Sequence, residues 1–261
     1  MLSGKTALVT GSTSGIGLGI APLAGPARRQ HRLQRLRRRP ANREAVHRHR
    51  ARIRGADGLP QCRHVQAGRD RRDDGLCLGD KFGGVDILVN NAGIQHVANI
   101  EDFPADKWDA IIAINLTSAF HTSRLALPGM KAKNWGRIIN LASVHGLVGS
   151  AQKSAYVAAK HGLVGFTKVT ALETAHTGVT CNAICPGWVL TPLVQKQVDD
   201  RAARDGLSNE AAKKALLAEK QPSGEFVTPE ELGALAVFFC SPVSDQVRGV
   251  AWNMDGGWTA Q

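Results

Sequence analysis

The stretch that most constrains this chain lies near its start. Thr6-Ala7-Leu8-Val9-Thr10 is a short β-rich apolar run, followed at once by Gly11-Ser12-Thr13-Ser14-Gly15-Ile16-Gly17. Glycines at 11, 15 and 17 permit a tight strand-to-helix turn and let a ligand approach the backbone closely. Free amides at the start of the new helix suit a pyrophosphate. The spacing is G-x-x-x-G-x-G rather than G-x-G-x-x-G, and taken alone such a loop also fits an ordinary turn.

The rest of the chain repeats the strand-then-helix theme. Val85–Val89 reads as a buried parallel strand, and Gly136–Ser143, Val179–Ile184 and Gly249–Met254 read as further strands. Helical spacing is predicted over Trp108–Phe120, from the Tyr156 region to about Ala175, and over Pro229–Phe239 with proline at its start. Residues 191–220 are polar and helical with a glycine at 206, and read either as a lid or as a surface insertion. A length of 261 residues fits one sizeable α/β domain or two small ones. There is no run of about 18 apolar residues, so no membrane span is expected. Met1–Lys5 leads straight into a strand without the regions of a signal peptide. Five scattered cysteines, at 62, 77, 181, 185 and 240, form no C-x-x-C pair. The expectation is a reduced cytoplasmic protein with no metal site.

The net charge of +11 would ordinarily point to nucleic acid. Its distribution argues otherwise. Sixteen of the 33 basic residues, all arginine, lie between Arg28 and Arg72, and residues 22–80 carry a net charge of +10. Elsewhere twelve lysines accompany five arginines. A doubly wound fold needs a helix and two further strands between residues 22 and 80, and the arginine-rich text offers no β-branched run for them. One explanation is a basic, disordered arm that binds nucleic acid or other anions. The other is translation out of frame. Gln30–Arg37 can be encoded so that a two-base shift reads N-I-V-F-N-G-F-G, a strand followed by a glycine turn. The same shift near Gln61–Arg69 can give L-N-A-D-M-S-K-P-A, a strand end leading into a helix start. Recovery of sensible elements at two places favours the out-of-frame reading.

Candidate chemistry lies further on. Tyr156 and Lys160 are four residues apart in an alanine-rich helical segment, so they share one face. A free phenol has a pKa of about 10, and an ammonium one turn away favours the phenolate. The pair is a plausible proton-transfer device, although Y-x-x-x-K alone equally describes an exposed helix. Asn90-Asn91-Ala92-Gly93 ends one strand and Ser143 another, positions suited to a cofactor edge. Asn115, polar within an apolar pattern, is on its own equally a satisfied core amide.

Together Thr10–Gly17, Asn90–Gly93, Asn115, Ser143, Tyr156 with Lys160, and Pro186-Gly187 followed by Thr191 resemble the short-chain dehydrogenase/reductase family. The resemblance covers residues 1–21 and 81–261. It implies a single Rossmann-type domain over residues 1–261, with a doubly wound seven-stranded parallel sheet, and usually a homotetramer. It implies Tyr156 as general acid/base and Lys160 as the group that lowers its pKa and holds the nicotinamide ribose. Ser143 would bond the reacting oxygen and Asn115 would support a proton-relay water. The implied cofactor residues are Gly11, Thr13, Ser14, Gly15, Ile16, Gly17, Asn91, Ala92, Gly93, Tyr156, Lys160, Pro186, Gly187, Val189 and Thr191.

Gln95, His145, Lys153, Trp188, Gln197 and Trp258 further resemble members of this family that oxidise a small 3-hydroxy acid, D-3-hydroxybutyrate, with NAD. Gln95, His145, Lys153 and Gln197 can donate hydrogen bonds to a carboxylate, and Lys153 adds a charge. Trp188 and Trp258 could wall a pocket for a methyl group. Individually each has a blander reading: solvated loop lysine, ligand-free histidine, surface glutamine, core aromatic. The arginines of the 22–80 segment would favour NADP, but their strand context is missing, and the resemblance implies NAD. The competing activities are NADP-dependent reduction of a 3-oxoacyl thioester and a non-enzymatic scaffold with a basic nucleic-acid-binding arm. The expectation is no nucleic-acid partner and no membrane partner. A peptide mass map of the purified protein is expected to lack the Arg28–Pro40 peptides and to contain shifted-frame peptides; recovery of the arginine-rich peptides would overturn the out-of-frame reading.

Overall fold

A computed structural model describes Leu2 and residues 4–12, 15–20 and 84–260. The out-of-frame reading of residues 22–80, with its two further strands, lies outside the described residues, as do the assignments at Thr13 and Ser14. Five strands are described: β1 (Ala7–Val9), β2 (Ile87–Asn90), β3 (Gly136–Leu141), β4 (Val179–Pro186) and β5 (Ala251–Met254). They lie side by side in that order and every pair is parallel. The observed spans differ from the sequence reading mainly at their ends, where hydrophobic pattern is least informative.

The two-residue period of a strand sends alternate side chains to opposite faces. Ile87, Val89, Ile139 and Leu141 join one core, with Leu232, Leu235 and Phe239. Leu88 and Ile138 join the other, with Ala126, Met130 and Ala171. The first core is closed by α1 (Gly15–Ile20) and α7 (Pro229–Phe239), which pack on each other. The second is closed by α3 (Ser118–Ala132) and α4 (Ser154–Glu173). All residues of β2, β3 and β4 are therefore buried. That explains why these strands read as continuous apolar runs.

Start signals in the sequence translate directly into caps. Thr228 and Glu231 form a reciprocal capping box, with Pro229 in the first helical position. Residues 191–220 form two helices, α5 (Pro192–Asp205), ended by left-handed Gly206, and α6 (Asn209–Ala218). They pack on each other and on Trp188 in a small separate core. The excursion leaves and returns at a narrow neck where Val189 bridges Val227. The predicted helix at Trp108–Phe120 lies within one longer helical run, α2 (Ala105–Ile112), a π turn over Ala113–Thr117, then α3. Among the described residues no helix is long and apolar enough to cross a membrane.

A buried polar thread crosses this apolar frame. Asn90 and Asn140 are register partners on β2 and β3, and the Asn90 amide donates to Asn140 Oδ1 at 2.8 Å. Asn140 Nδ2 donates to Thr167 Oγ1 on α4 at 2.8 Å, and Thr122 on α3 donates to Asn90 Oδ1 at 2.7 Å. Removing Asn140 takes a buried hydrogen bond from both Asn90 and Thr167. Asn140→Leu is expected to cost about 2–4 kcal/mol of unfolding free energy, read as a lower urea midpoint at unchanged m-value.

Candidate active site

Loops at the C-terminal ends of all five described strands converge, the region where parallel α/β sheets bind ligands. After β1, Thr10 Oγ1 accepts the amides of Asn91 and Ala92 at 3.0 and 3.1 Å. The Asn91 amide donates back to the carbonyls of Thr10 and Gly11 at 3.0 and 3.2 Å. The glycines of the first turn are required by this approach. A Cβ on Gly11 would meet Ala92 Cα at 2.9 Å, and one on Gly17 would meet Asn91 Nδ2 at 2.5 Å. A Cβ on Gly15 would meet the Thr191 methyl at 3.2 Å, so the loop after β4 also borders this turn. Thr191 caps α5 through Val194 N. Pro186 and Gly187 end β4, Ile16 packs against the first core, and Val189 is a buried member of it. Only the main chain of Val189 is left to face a ligand. Gly93 is exposed at the cleft. A backbone cradle that a methyl group would obstruct fits a dinucleotide.

The second cluster lies around α4. Tyr156 and Lys160 are one turn apart, with Lys160 Nζ 5.5 Å from the phenol ring centre. Lys160 is buried and donates to Leu141 O at 2.6 Å. Ser143, just beyond β3, hydrogen-bonds the Tyr156 phenol and lies 3.3 Å from His145 Nδ1. The expected lowering of the Tyr156 pKa does not hold in this structure. Burial pushes the phenol up to about 12, against the opposing Ser143 hydrogen bond, and burial pulls Lys160 down to about 8. The physical reason is that burial disfavours the charged phenolate more than the Ser143 hydrogen bond favours it. Tyr156 is thus held protonated near neutral pH in this form.

Asn115 sits in the π turn, 2% exposed. Both ends of its amide bind the main chain of Ile94, accepting at 2.9 Å and donating at 3.0 Å. Its side chain is therefore a satisfied amide pinning the loop after β2 to the helix. A π turn re-spaces the helical carbonyl ladder, a feature often found at functional sites.

The third cluster is rich in donors. Gln95 Nε2, His145 Nε2 and Trp188 Nε1 are buried without a hydrogen-bond partner among the described residues. Burial, with Lys153 next, pulls the His145 pKa down to about 3, so the ring is neutral at ordinary pH. Lys153 is buried, its Nζ lies 5.1 Å from the Trp188 ring centre, and burial lowers its pKa to about 8. No carboxylate among the described residues pairs with it. The Gln95 loop is tied to the Lys153 turn through Ala98 N to Gln152 O at 3.0 Å. Trp258 packs against both His145 and Trp188, at 5.4 and 5.5 Å between ring centres. Unpaired buried donors around one cation fit a small anion, since a group left unpaired there is costly. Gln197 is not brought into this cluster: on α5, its amide donates to Leu193 O of its own helix at 3.5 Å. Sequence reasoning missed Gln221, which accepts the Trp188 main-chain N–H; no local pattern marks it.

A doubly wound sheet, a glycine cradle at its first turn and a Ser-Tyr-Lys cluster across the cleft define a nicotinamide-dependent oxidoreductase. The family model described as short chain dehydrogenase matches residues 5–202, and the chain belongs to that family. It is 64% identical over 265 aligned positions to the D-beta-hydroxybutyrate dehydrogenase of Cupriavidus necator, covering 100% of both chains. It is 48% identical over 257 positions to the D-beta-hydroxybutyrate dehydrogenase of Rhizobium meliloti, covering 98% of this chain and 99% of the other. Among solved structures, a tryptophan-substituted variant of actinorhodin polyketide ketoreductase with NADPH superposes with a TM-score of 0.76 at 28% identity, covering 98% of each chain.

The Lys153 environment gives a pH dependence. Below about 8 the ammonium is charged and attracts a carboxylate; above it the charge is lost. Acetate affinity, followed by competition with substrate, is expected to weaken as pH rises through about 8, and Lys153→Met should remove that dependence.

Proposed function

We propose that this chain is an NAD-dependent enzyme that interconverts D-3-hydroxybutyrate and acetoacetate. The observation that carries this reading is the set of unpaired buried donors, Gln95 Nε2 and His145 Nε2, with Lys153, beside the Ser143–Tyr156 pair. A small carboxylate satisfies those donors and Lys153, while its 3-hydroxyl meets Tyr156. Trp188 and Trp258 wall the methyl end. The likeness to the two D-beta-hydroxybutyrate dehydrogenases supports the same substrate.

Bound along the glycine cradle, a nicotinamide cofactor supplies the hydride acceptor or donor. In oxidation Tyr156 first releases its own proton toward solvent; as the phenolate it takes the hydroxyl proton as the carbonyl forms, while the C3–H bond breaks and its electron pair leaves with the hydride. In reduction Tyr156 returns that proton. Ser143 orients the reacting oxygen. Lys160, the cation one helical turn away, offsets the phenolate that starts the oxidation and that reduction leaves behind, and also holds the ribose. Asn115 fixes the loop and supports a relay to solvent. Gln197 joins the carboxylate when the α5–α6 excursion closes as a lid.

We further propose a cytoplasmic homotetramer. Phe120 on α3, Val169 and Leu172 on α4, and Trp252 on β5 are exposed apolar side chains on regular elements, the kind of surface subunits cover. The nucleic-acid-arm alternative is confined to residues 22–80, outside the described residues.

Initial rates with both enantiomers of 3-hydroxybutyrate and with acetoacetyl-CoA test the reading. Strong preference for the D-acid with NAD is expected. Equal rates for both enantiomers, or thioester turnover exceeding the free acid, would overturn it. Tyr156→Phe should cut kcat by about 10²- to 10⁴-fold while leaving NADH affinity intact.

A further inference from the structure

Gln221 lies just past α6 and is 1% exposed, yet no part of the catalytic or donor clusters includes it. Both ends of its amide are used. Oε1 accepts the main-chain N–H of Trp188 at 2.7 Å, and Nε2 donates to Glu225 O. The side chain therefore spans the neck of the excursion, holding the outgoing leg at Trp188 to the returning leg at Glu225. The same side chain presses on two glycines. A Cβ on Gly187 would meet Gln221 Oε1 at 2.5 Å, and one on Gly256 would meet Gln221 Cγ at 2.7 Å. Gly187 precedes Trp188, and Gly256 lies two residues before Trp258. Ser223 N also donates to Gly256 O at 3.0 Å, fastening the C-terminal turn to this neck.

The two indoles reached in this way are the apolar wall of the pocket. Trp188 Nε1 is buried and has no hydrogen-bond partner among the described residues. The ring is therefore not pinned by its own N–H, and its position is set by packing and by its main chain, which Gln221 holds on one side and Val227 N on the other, donating to Trp188 O at 2.9 Å. Trp258 is set by packing against Trp188 and His145, and by the turn that Asp255 organises through Gly257 N and Thr259.

We propose that Gln221 is a positioning residue for substrate selection: by fixing the Trp188 main chain and abutting Gly256, it sets how closely the two indoles approach and so how long an acyl chain the site accepts. The selectivity part of this proposal rests on the 3-hydroxy acid reading above; the positioning part does not.

The test compares full-length wild type, Gln221→Leu and Gln221→Glu. Measured are kcat and KM for D-3-hydroxybutyrate and D-3-hydroxyhexanoate, NADH affinity, and the fluorine NMR spectrum of 5-fluorotryptophan-labelled protein. Losing the Trp188 bond is expected to raise the KM for D-3-hydroxybutyrate about tenfold, with kcat and NADH affinity changed less than about threefold. The preference for the shorter acid should fall by a similar factor. The Trp188 and Trp258 signals should move while those of Trp108, Trp135 and Trp252 stay. Gln221→Glu keeps the acceptor for Trp188, and its buried carboxyl, when protonated, can still donate to Glu225 O. It should recover KM and preference at neutral pH and lose both as that carboxyl ionises.

Unchanged selectivity with unmoved Trp188 and Trp258 signals in Gln221→Leu overturns the proposal. So does equal loss of kcat and NADH affinity with all five signals displaced, which marks a general fold defect. Should Gln221→Leu fail to fold, Gln221→Asn, one methylene short of Trp188, is read in the same way. If wild type does not turn over D-3-hydroxybutyrate, the functional reading and the selectivity role fail together. The fluorine signals then decide the positioning role alone.

Discussion

In β2, β3 and β4 every side chain is buried, and both faces of the sheet are covered by helices. A polar group left unpaired there is costly, and the asparagines that do enter are tied in: Asn90 and Asn140 through side chains, Asn182 through the main chain of Val247 and Val250. Chemistry is thereby displaced to the strand ends. Because all five described strands are parallel, their C-terminal ends share one edge, and five loops meet over it. The site is a consequence of strand direction more than of any one loop.

Over that edge the protein assembles an environment short of anions. Lys153 and Lys160 are both desolvated, and His145 is kept neutral by burial and by the nearby Lys153. Tyr156 is held in its protonated form by the same burial. These shifts share one leading cause, removal of water, and an anionic partner at either lysine would relieve its own. Ligand binding and proton transfer thus draw on the same desolvation.

Much of this was legible in the sequence, and for identifiable reasons. β2, β3 and β4 were visible because burial on both faces leaves an uninterrupted apolar run. The helix at Pro229 was visible from proline in its first turn. Tyr156, Lys160, Ser143, His145, Lys153 and the two tryptophans could be named because spacing or family pattern marks them. The direction of the Tyr156 shift was not legible, since sequence spacing shows the nearby charge and conceals the burial that outweighs it. Nor was the engagement of the Asn115 amide by Ile94, 21 residues away in the chain. Gln197 was named from pattern, and the structure leaves its amide on its own helix. Gln221 was missed altogether, because a buried amide that joins the two legs of an excursion has no periodicity to betray it.

The neck at Val189 and Val227 has a consequence for how such a protein can change. The excursion starts and ends at paired residues, and its helices pack mainly on each other and on Trp188. Its length and composition are therefore nearly independent of the sheet, since the entropy of closing a loop grows only slowly with its length. Mutations within it can accumulate without eroding the two main cores. The excursion is thus free to diversify, while the parallel sheet and the loops over its strand ends are held fixed.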